Sequence, residues 1–175
     1  FENEVEKIET ILKQLNNNKE LNFDKINKLN SEKDNLYKKI YSNLDPWQKV
    51  QVSRHGERPH ALDYIKNIFQ DIVFLHGDKK YADDNAIVGG LAKIQDNSVF
   101  FIGTEKGNTM ETRIKHNFGM AKPEGYRKVQ RLLKLAEKFK LPLISFVDTA
   151  GAFPGKDAEE IGQSESIASS ILHFL

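Results

Sequence analysis

The segment Asp148–Gly155 combines residue types expected of a ligand-binding loop. It places Gly151 and Gly155 directly after a run of apolar residues, and ligands of open α/β sheets bind at the ends of such strands. Glycine allows a sharp turn and a close approach of the main chain, so backbone N–H groups can converge on a negatively charged oxygen. The segment is therefore a candidate oxyanion-binding loop. The alternative is an ordinary connection between a strand and a helix.

The stretch from Gly103 to Leu141 carries an excess of positive charge. It holds ten Lys and Arg residues against four acidic ones, whereas the whole chain has a net charge of +1. Such a local excess suits a phosphate-bearing ligand or an acidic partner, and we predict that Arg127 and Lys128 contact one. For Lys134 to Lys140 the alternative is a solvated helix face.

Other kinds of catalytic site find little support. The chain has no cysteine, which excludes disulfides, thiolate zinc sites and cysteine nucleophiles. No two of its five histidines have the i, i+4 spacing of a helical metal site, and nothing selects a Ser-His-Asp triad. There is no G-x-G-x-x-G motif and no Walker lysine. We predict no metal site, and the general base is not identified among the carboxylates Asp148, Glu159, Glu160 and Glu165.

The composition is that of a globular protein of one domain's length. The chain has 175 residues, 39% apolar and 29% charged, and its 11 Phe and 5 Tyr can build a core. The small net charge argues against a chain-wide nucleic-acid interface. No apolar run approaches the roughly 18 residues that span a membrane, and the acidic first residues are unlike a signal peptide.

The elements that must position the loop alternate between strands and helices. Ile87–Ile94 and Ser98–Gly103 are β-rich runs, joined into a hairpin by a turn signal at 95–97. Pro123 to Lys140 is predicted to be an amphipathic helix, and the apolar run Leu141–Val147 a strand buried on both faces. This order of elements indicates an α/β layered domain.

The first half of the chain is predicted to be helical. Residues 1–43 have balanced charge and apolar residues at helical spacing, with a turn at Asn16–Asn18, so we expect a helical hairpin or coiled-coil arm. An RNA-gripping arm is the alternative, which the zero net charge of the segment disfavours. Residues 44–85 are expected to be a helical connector with a helix over Asp63–Leu75.

The last segment predicts that the chain is truncated. Ser164 to Leu175 has a helical pattern with Ile167, Ile171 and Leu172 on one face, and it stops without a C-cap Gly, a Pro or a basic last turn. We therefore expect residues 86–175 to be the first part of a domain that continues beyond the chain end.

Ten blocks of residues carry a resemblance to one protein family. They are Ser42–Gln51, Glu57–Pro59, Leu62–Ile65, Leu75–Asp78, Ile87–Gly90, Asn117–Met120, Pro123–Lys128, Leu135–Phe139, Asp148–Gly155 and Gly162–Glu165. In order and spacing these blocks resemble the α subunit of bacterial and plastid acetyl-coenzyme A carboxylase carboxyltransferase. The resemblance implies a crotonase-like (ClpP/crotonase) spiral fold of β-β-α units, preceded by an N-terminal helical hairpin. It also implies transfer of a carboxyl group from carboxybiotin to acetyl-CoA, which forms malonyl-CoA for fatty acid biosynthesis.

The resemblance further implies which residues face the reaction. It places the backbone N–H groups of Gly151 and Ala152 on the biotin-side pocket wall, where they would stabilise charge on the ureido or thioester oxygen. Two departures from the family pattern stand out: Ala150 replaces a usual Pro, and the family's glycine-rich segment with the principal oxyanion amides would follow the chain end. The implied substrate-binding residues are Asp148, Phe153, Gly155, Arg127 and Lys128.

The cofactors and partners are likewise implied by the resemblance. They are biotin carried covalently on the biotin carboxyl carrier protein, acetyl-CoA and malonyl-CoA, biotin carboxylase, and a β subunit with a cysteine-ligated zinc ribbon in an α2β2 heterotetramer. The location would be the cytoplasm, or the plastid stroma if the gene is a plastid one. Two alternatives stay open: a noncatalytic assembly subunit that scaffolds the β subunit, and a stand-alone crotonase-type acyl-CoA hydratase or hydrolase.

Overall fold

The computed structural model describes residues 1–16 and 22–175, which form two compact units, Phe1–Arg58 and Pro59–Leu175. The first unit contains helices α1 (Asn3–Leu15), α2 (Phe23–Ser42) and α3 (Pro46–Ser53). Helices α1 and α2 pack together as the predicted hairpin requires, with the apolar seam of α1 buried. The predicted turn at Asn16–Asn18 lies largely outside the described residues.

The second unit is built on a four-stranded sheet. Its elements are α4 (Ala61–Ile68), β1 (Gln70–Phe74), β2 (Ile87–Ile94), β3 (Asn97–Thr104), α5 (Met110–Lys115), a 3-10 turn (Asn117–Gly119), α6 (Pro123–Phe139), β4 (Leu143–Phe146), α7 (Lys156–Glu160) and α8 (Gln163–Phe174). The strand order is β1-β2-β3-β4, with β3 and β4 parallel and the other neighbours antiparallel. The predicted β2–β3 hairpin and the predicted helix α6 are confirmed.

Two layers of apolar side chains hold the sheet. On one face, α6 contributes Val129 and Leu132 to a core with Ile87 and Phe100 of the hairpin. A separate cluster contains Ile65 of α4 together with residues of β2 and β3. Burial of each such side chain contributes about 1.5–3 kcal/mol, so these contacts fix the sheet from which the loop emerges.

The predicted helix over Asp63–Leu75 is wrong in its second half. The helix ends at Ile68, and Gln70–Phe74 is a strand paired with β2, with Val73 opposite Leu91. The spacing of the apolar residues fits both the helical and the strand period, and the pairing with the edge of β2 decides for a strand. Residues 44–85 are therefore not wholly helical; the predicted division into 1–43, 44–85 and 86–175 stays a prediction.

The strand β4 is not buried on both faces as predicted. It is the last strand of the sheet, Ser145 is exposed, and Val147 beyond it is 80% exposed. On α8, Ile171 and Leu172 are 60% and 72% exposed, because the side buried on α6 carries Ser166 and Ser170. Within the described ranges, no helix has the length and apolar character needed to cross a bilayer.

Candidate functional site

The loop Asp148–Gly155 follows β4 and is held firmly at its start. The backbone N–H of Asp148 donates to Thr104 Oγ1 at 2.6 Å, and its carboxylate accepts from Lys106 Nζ at 2.5 Å. One residue on, Thr149 Oγ1 donates to the carbonyl of Gly119 at 2.6 Å. The first two residues of the loop are thus hydrogen-bonded to the end of β3, to Lys106 just after it, and to the 3-10 turn. Asp148 therefore anchors the start of the loop.

The two backbone N–H groups predicted to bind an oxyanion differ in availability. Gly151 N–H donates to Thr149 Oγ1 at 3.0 Å, so it is already engaged inside the loop. Ala152 forms an isolated parallel bridge with Ala121, and its own N–H makes no hydrogen bond within the described residues. Gly151 has φ +146°, a left-handed value that favours glycine, and no atom lies within 4 Å of where a Cβ would stand. Ala152 is therefore the better donor candidate, and Gly151 shapes the turn.

The second half of the loop lies against the segment before α6. Phe153 N–H donates to the Ala121 carbonyl at 3.0 Å, and Gln163 Nε2 donates to the carbonyls of Ala121 and Phe153. A Cβ on Gly155 would lie 2.3 Å from the Phe153 ring, so only glycine allows this close approach. The buried amide of Gln163 thus fastens the loop to the residue that precedes Lys122.

Lys122 adds a charged cover to the same half of the loop. Its Nζ lies 4.6 Å from the centroid of the Phe153 ring and donates to Asp157 Oδ2 at 3.0 Å. The hydrogen bond with Asp157 raises the pKa of Lys122, and the same bond lowers the pKa of Asp157. The Phe153 side chain is thus held by a cation and by its backbone contacts.

The side chains of Arg127 and Lys128 both have partners within the protein, although Arg127 is partly exposed. Lys128 is 2% exposed; its Nζ donates to the carbonyls of Asp84 and Ile87 at 2.8 and 2.7 Å and forms an ion pair with Asp83. Arg127 Nε donates to Asp78 Oδ2 at 2.8 Å. Both cationic groups thus have partners within the protein, and the contact of Arg127 and Lys128 with substrate stays a prediction.

Burial and hydrogen bonding shift the pKa values of the carboxyl groups around these cations. Burial would raise the pKa of Asp78, but the N–H of Tyr81 and the Arg127 guanidinium outweigh it and lower that pKa to about 2. Burial also opposes ionisation of Asp83, yet its contact with Lys128 leaves the pKa of Asp83 lowered. For the more deeply buried Asp84, burial dominates and its pKa is raised.

An apolar cavity of about 280 Å³ lies beside the loop. Its walls come from β2, β3, β4, α6 and α8, and Thr149 of the loop is part of its lining. Burial raises the pKa of Tyr126, which also faces the cavity, so its hydroxyl stays protonated at neutral pH. The arrangement offers an apolar space next to a loop with an available N–H donor. No group of three or more candidate metal ligands occurs in the described part of the chain.

Several residues of this site were missed by sequence reasoning. Asp84, Lys106 and Lys122 contact the loop or its support. Each of these contacts joins residues at least 31 positions apart in the sequence. For Gln163, the only indication in the sequence is that it lies in the block Gly162–Glu165, which resembles the family. Spacing along the chain contains no information on such contacts.

Comparison with known proteins assigns the chain. The profile of the "Acetyl co-enzyme A carboxylase carboxyltransferase-like" family matches residues 1–175. The chain belongs to this family. It is 57% identical over 148 residues to the acetyl-coenzyme A carboxylase carboxyl transferase subunit alpha of Rhodospirillum centenum, covering 85% of the chain and 47% of that relative. It is 50% identical to the corresponding subunit of Nitrosomonas eutropha, covering 98% of the chain and 54% of that relative.

The chain therefore spans about half the length of the curated carboxyltransferase relatives it matches. Among solved structures, transcarboxylase 12S superposes with a TM-score of 0.55 at 19% identity, over 68% of this chain and 21% of that chain. A likeness at this identity concerns the fold. The predicted crotonase-like α/β fold is confirmed, with β2, β3 and α6 forming one β-β-α unit followed by β4.

Proposed function

We propose that this chain is part of the α subunit of an acetyl-CoA carboxylase carboxyltransferase. In the reaction the carboxyl group leaves the biotin nitrogen and bonds to the acetyl carbon of acetyl-CoA; the acetyl carbon loses a proton, biotin gains one, and malonyl-CoA forms. The observation that carries the proposal is the identity of 50–57% with relatives of that name over 85–98% of the chain.

The glycine loop supplies the chemistry on this chain's side of the reaction. Both reactants pass through oxyanions, and fixed backbone donors stabilise them without a change of charge state. Ala152 N–H has no hydrogen-bond partner among the described residues, and it lies on a loop bonded to neighbouring elements at Thr149 and Phe153. Bound biotin would supply the carboxyl carrier and a nitrogen able to accept the acetyl proton, so no protein side chain is needed as base.

The partners follow from the family and are proposals for this chain. They are a β subunit in an α2β2 heterotetramer, the biotin carboxyl carrier protein and biotin carboxylase. The name "subunit alpha" of the relatives supports a β partner. We propose a cytoplasmic location, or the plastid stroma for a plastid gene.

The test is carboxyl transfer by the chain, in the full form its gene encodes, after assembly with its β subunit. With free biotin and malonyl-CoA we expect biotin-dependent formation of acetyl-CoA. An assembled complex without this activity would support the scaffolding alternative. Hydration of an enoyl-CoA or hydrolysis of an acyl-CoA by the chain without β subunit would support the stand-alone alternative.

A further inference from the structure

Asp84 lies at the point where three elements meet, although the mechanism above does not use it. The residue is 2% exposed. Its Oδ1 accepts from Ala86 N–H at 2.9 Å, before β2, and from Asn117 Nδ2 at 3.0 Å in the 3-10 turn. Its Oδ2 accepts from Lys122 N–H at 2.8 Å, at the start of α6. One carboxylate thus fixes both ends of the segment 117–122.

The segment 117–122 has a backbone that needs such support. Asn117 and Phe118 have φ of +48° and +55°, values that residues other than glycine rarely adopt, and Gly119 follows with φ +76°. Strained conformations of this kind persist only where surrounding contacts determine them. Asp84 provides two of these contacts, and a Cβ on Gly125 would lie 2.5 Å from Asp84 Oδ2, so the first turn of α6 leaves room for the carboxylate.

The same segment is the surface on which the glycine loop rests. The Gly119 carbonyl accepts from Thr149 Oγ1, and the Ala121 carbonyl accepts from Phe153 N–H. Both carbonyls belong to the short stretch between the two residues that Asp84 holds. A shift of Lys122 or Asn117 therefore moves the acceptors that set the loop's position.

We propose that Asp84 is a positioning residue that sets the geometry of the glycine loop Asp148–Gly155 through the segment 117–122. Its effect on carboxyl transfer rests on the proposed function, whereas its effect on the loop does not. The role is one of placement: Asp84 does not contact the loop, and it acts through the backbone of Gly119 and Ala121.

The test compares Asp84→Asn with Ile65→Val in the assembled complex. Asparagine keeps one acceptor oxygen but turns a donor toward Lys122 N–H or Asn117. Ile65→Val removes one methylene from the core cluster that contains Ile65 of α4, and serves as a control for a modest loss of stability. Asn117→Gly, which accepts the positive φ but removes the amide, is a milder second variant should Asp84→Asn fold poorly.

The first readout is amide hydrogen exchange in conditions where every variant is folded. We expect Phe153 N–H to exchange about tenfold faster in Asp84→Asn, with the hairpin 87–104 changed less than about twofold. Ile65→Val should leave residues 148–155 unchanged, and Asn117→Gly should raise exchange there to a smaller extent. Unchanged exchange over 148–155 in both Asp84→Asn and Asn117→Gly would overturn the proposal.

The second readout is the steady-state kinetics of free-biotin-dependent malonyl-CoA decarboxylation. We expect Asp84→Asn to lower kcat about tenfold with the KM for malonyl-CoA within about twofold of the parent. The kcat is expressed per folded, assembled complex, because loss of folded protein alone also lowers the apparent kcat at an unchanged KM. An equal fall of activity in Asp84→Asn and Ile65→Val would contradict positioning. A parent complex without activity would refute the proposed function, while the exchange measurement would still decide the role of Asp84.

Discussion

We predict contact with a ligand for two regions, the glycine loop Asp148–Gly155 and the basic stretch 103–141. In the structure the two regions differ in how many of their polar groups have partners within the protein. In the stretch, four of the ten cations pair with acids that lie outside it. In the loop, by contrast, the N–H of Ala152 has no partner within residues 1–16 and 22–175. A local excess of charge in the sequence therefore indicates a ligand site only where the fold does not already pair those charges with acidic residues from other segments. The four pairs are Lys106–Asp148, Lys122–Asp157, Arg127–Asp78 and Lys128–Asp83.

The two regions therefore have different expected signatures. Substitutions in the buried pairs should lower the free energy of unfolding, because they leave charges and carbonyls without partners. Substitutions in the loop should lower turnover with little loss of stability, because few of its side chains are buried.

The largest expected effect on stability is that of Lys128→Met. The change leaves Asp83 and two backbone carbonyls without their cation; the Lys128 side chain is 2% exposed and that of Asp83 29%. We expect a loss of about 3–5 kcal/mol in the free energy of unfolding, measured by urea denaturation. Lys134→Met on the exposed side of the same helix is the control, with an expected change below about 0.5 kcal/mol. Similar values for both variants would show that Lys128 is not an internal anchor.

Asp78→Asn is expected to have a smaller, pH-dependent effect. Asparagine keeps the oxygen that accepts from the N–H groups of Lys80, Tyr81 and Ala82, but loses the charge facing Arg127. Lowering the pKa from 3.8 to about 2 stabilises the folded ionised form by about 2 kcal/mol.

The sign of this effect gives the pH window to examine. A carboxyl group whose pKa is lowered by folding contributes its stability above the unfolded value and loses it as the pH falls toward the folded value. The difference between Asp78→Asn and the parent should thus be full above about pH 4 and vanish toward pH 2. Urea titrations at several pH values measure it, and a difference that is constant with pH would contradict the ion-pair account.

Thr149→Val is expected to cause the smallest loss of stability of the three. It removes the hydroxyl that donates to the Gly119 carbonyl and accepts from Gly151 N–H, at a net cost of about 1 kcal/mol. Its effect on turnover should exceed that of Asp78→Asn despite the smaller loss of stability. A variant with parental kcat would show that the loop tolerates displacement.

The fold was predictable where the pattern had one interpretation. The β2–β3 hairpin, the helix α6 and the glycine loop each show a period or residue type that suits a single structure. The strand β1 could not be predicted, because the spacing of Phe69 and Ile72 fits a helix and a strand alike, and only pairing with β2 decides.

The site was predictable only in part, for a similar reason. The residues of the loop are contiguous, so their types alone indicate a turn with backbone donors. The contacts that occupy Arg127 and Lys128 join residues 49 and 44 positions apart, and no spacing rule pairs them. The engagement of Gly151 N–H by Thr149 depends on side-chain geometry, which residue types do not specify.

The most direct test of this account is a crossed measurement of stability and turnover on Gly151→Val and Asp78→Asn in the assembled complex. We expect Gly151→Val to lower kcat for free-biotin-dependent malonyl-CoA decarboxylation about 10²–10³-fold, because valine cannot hold φ +146° without displacing the donors of the loop. Asp78→Asn should lose stability and keep parental kcat. Gly162→Val, also at positive φ with open space around it, controls for backbone strain and should keep kcat as well. Parental turnover in a folded, assembled Gly151→Val complex would contradict the assignment of the loop to the site.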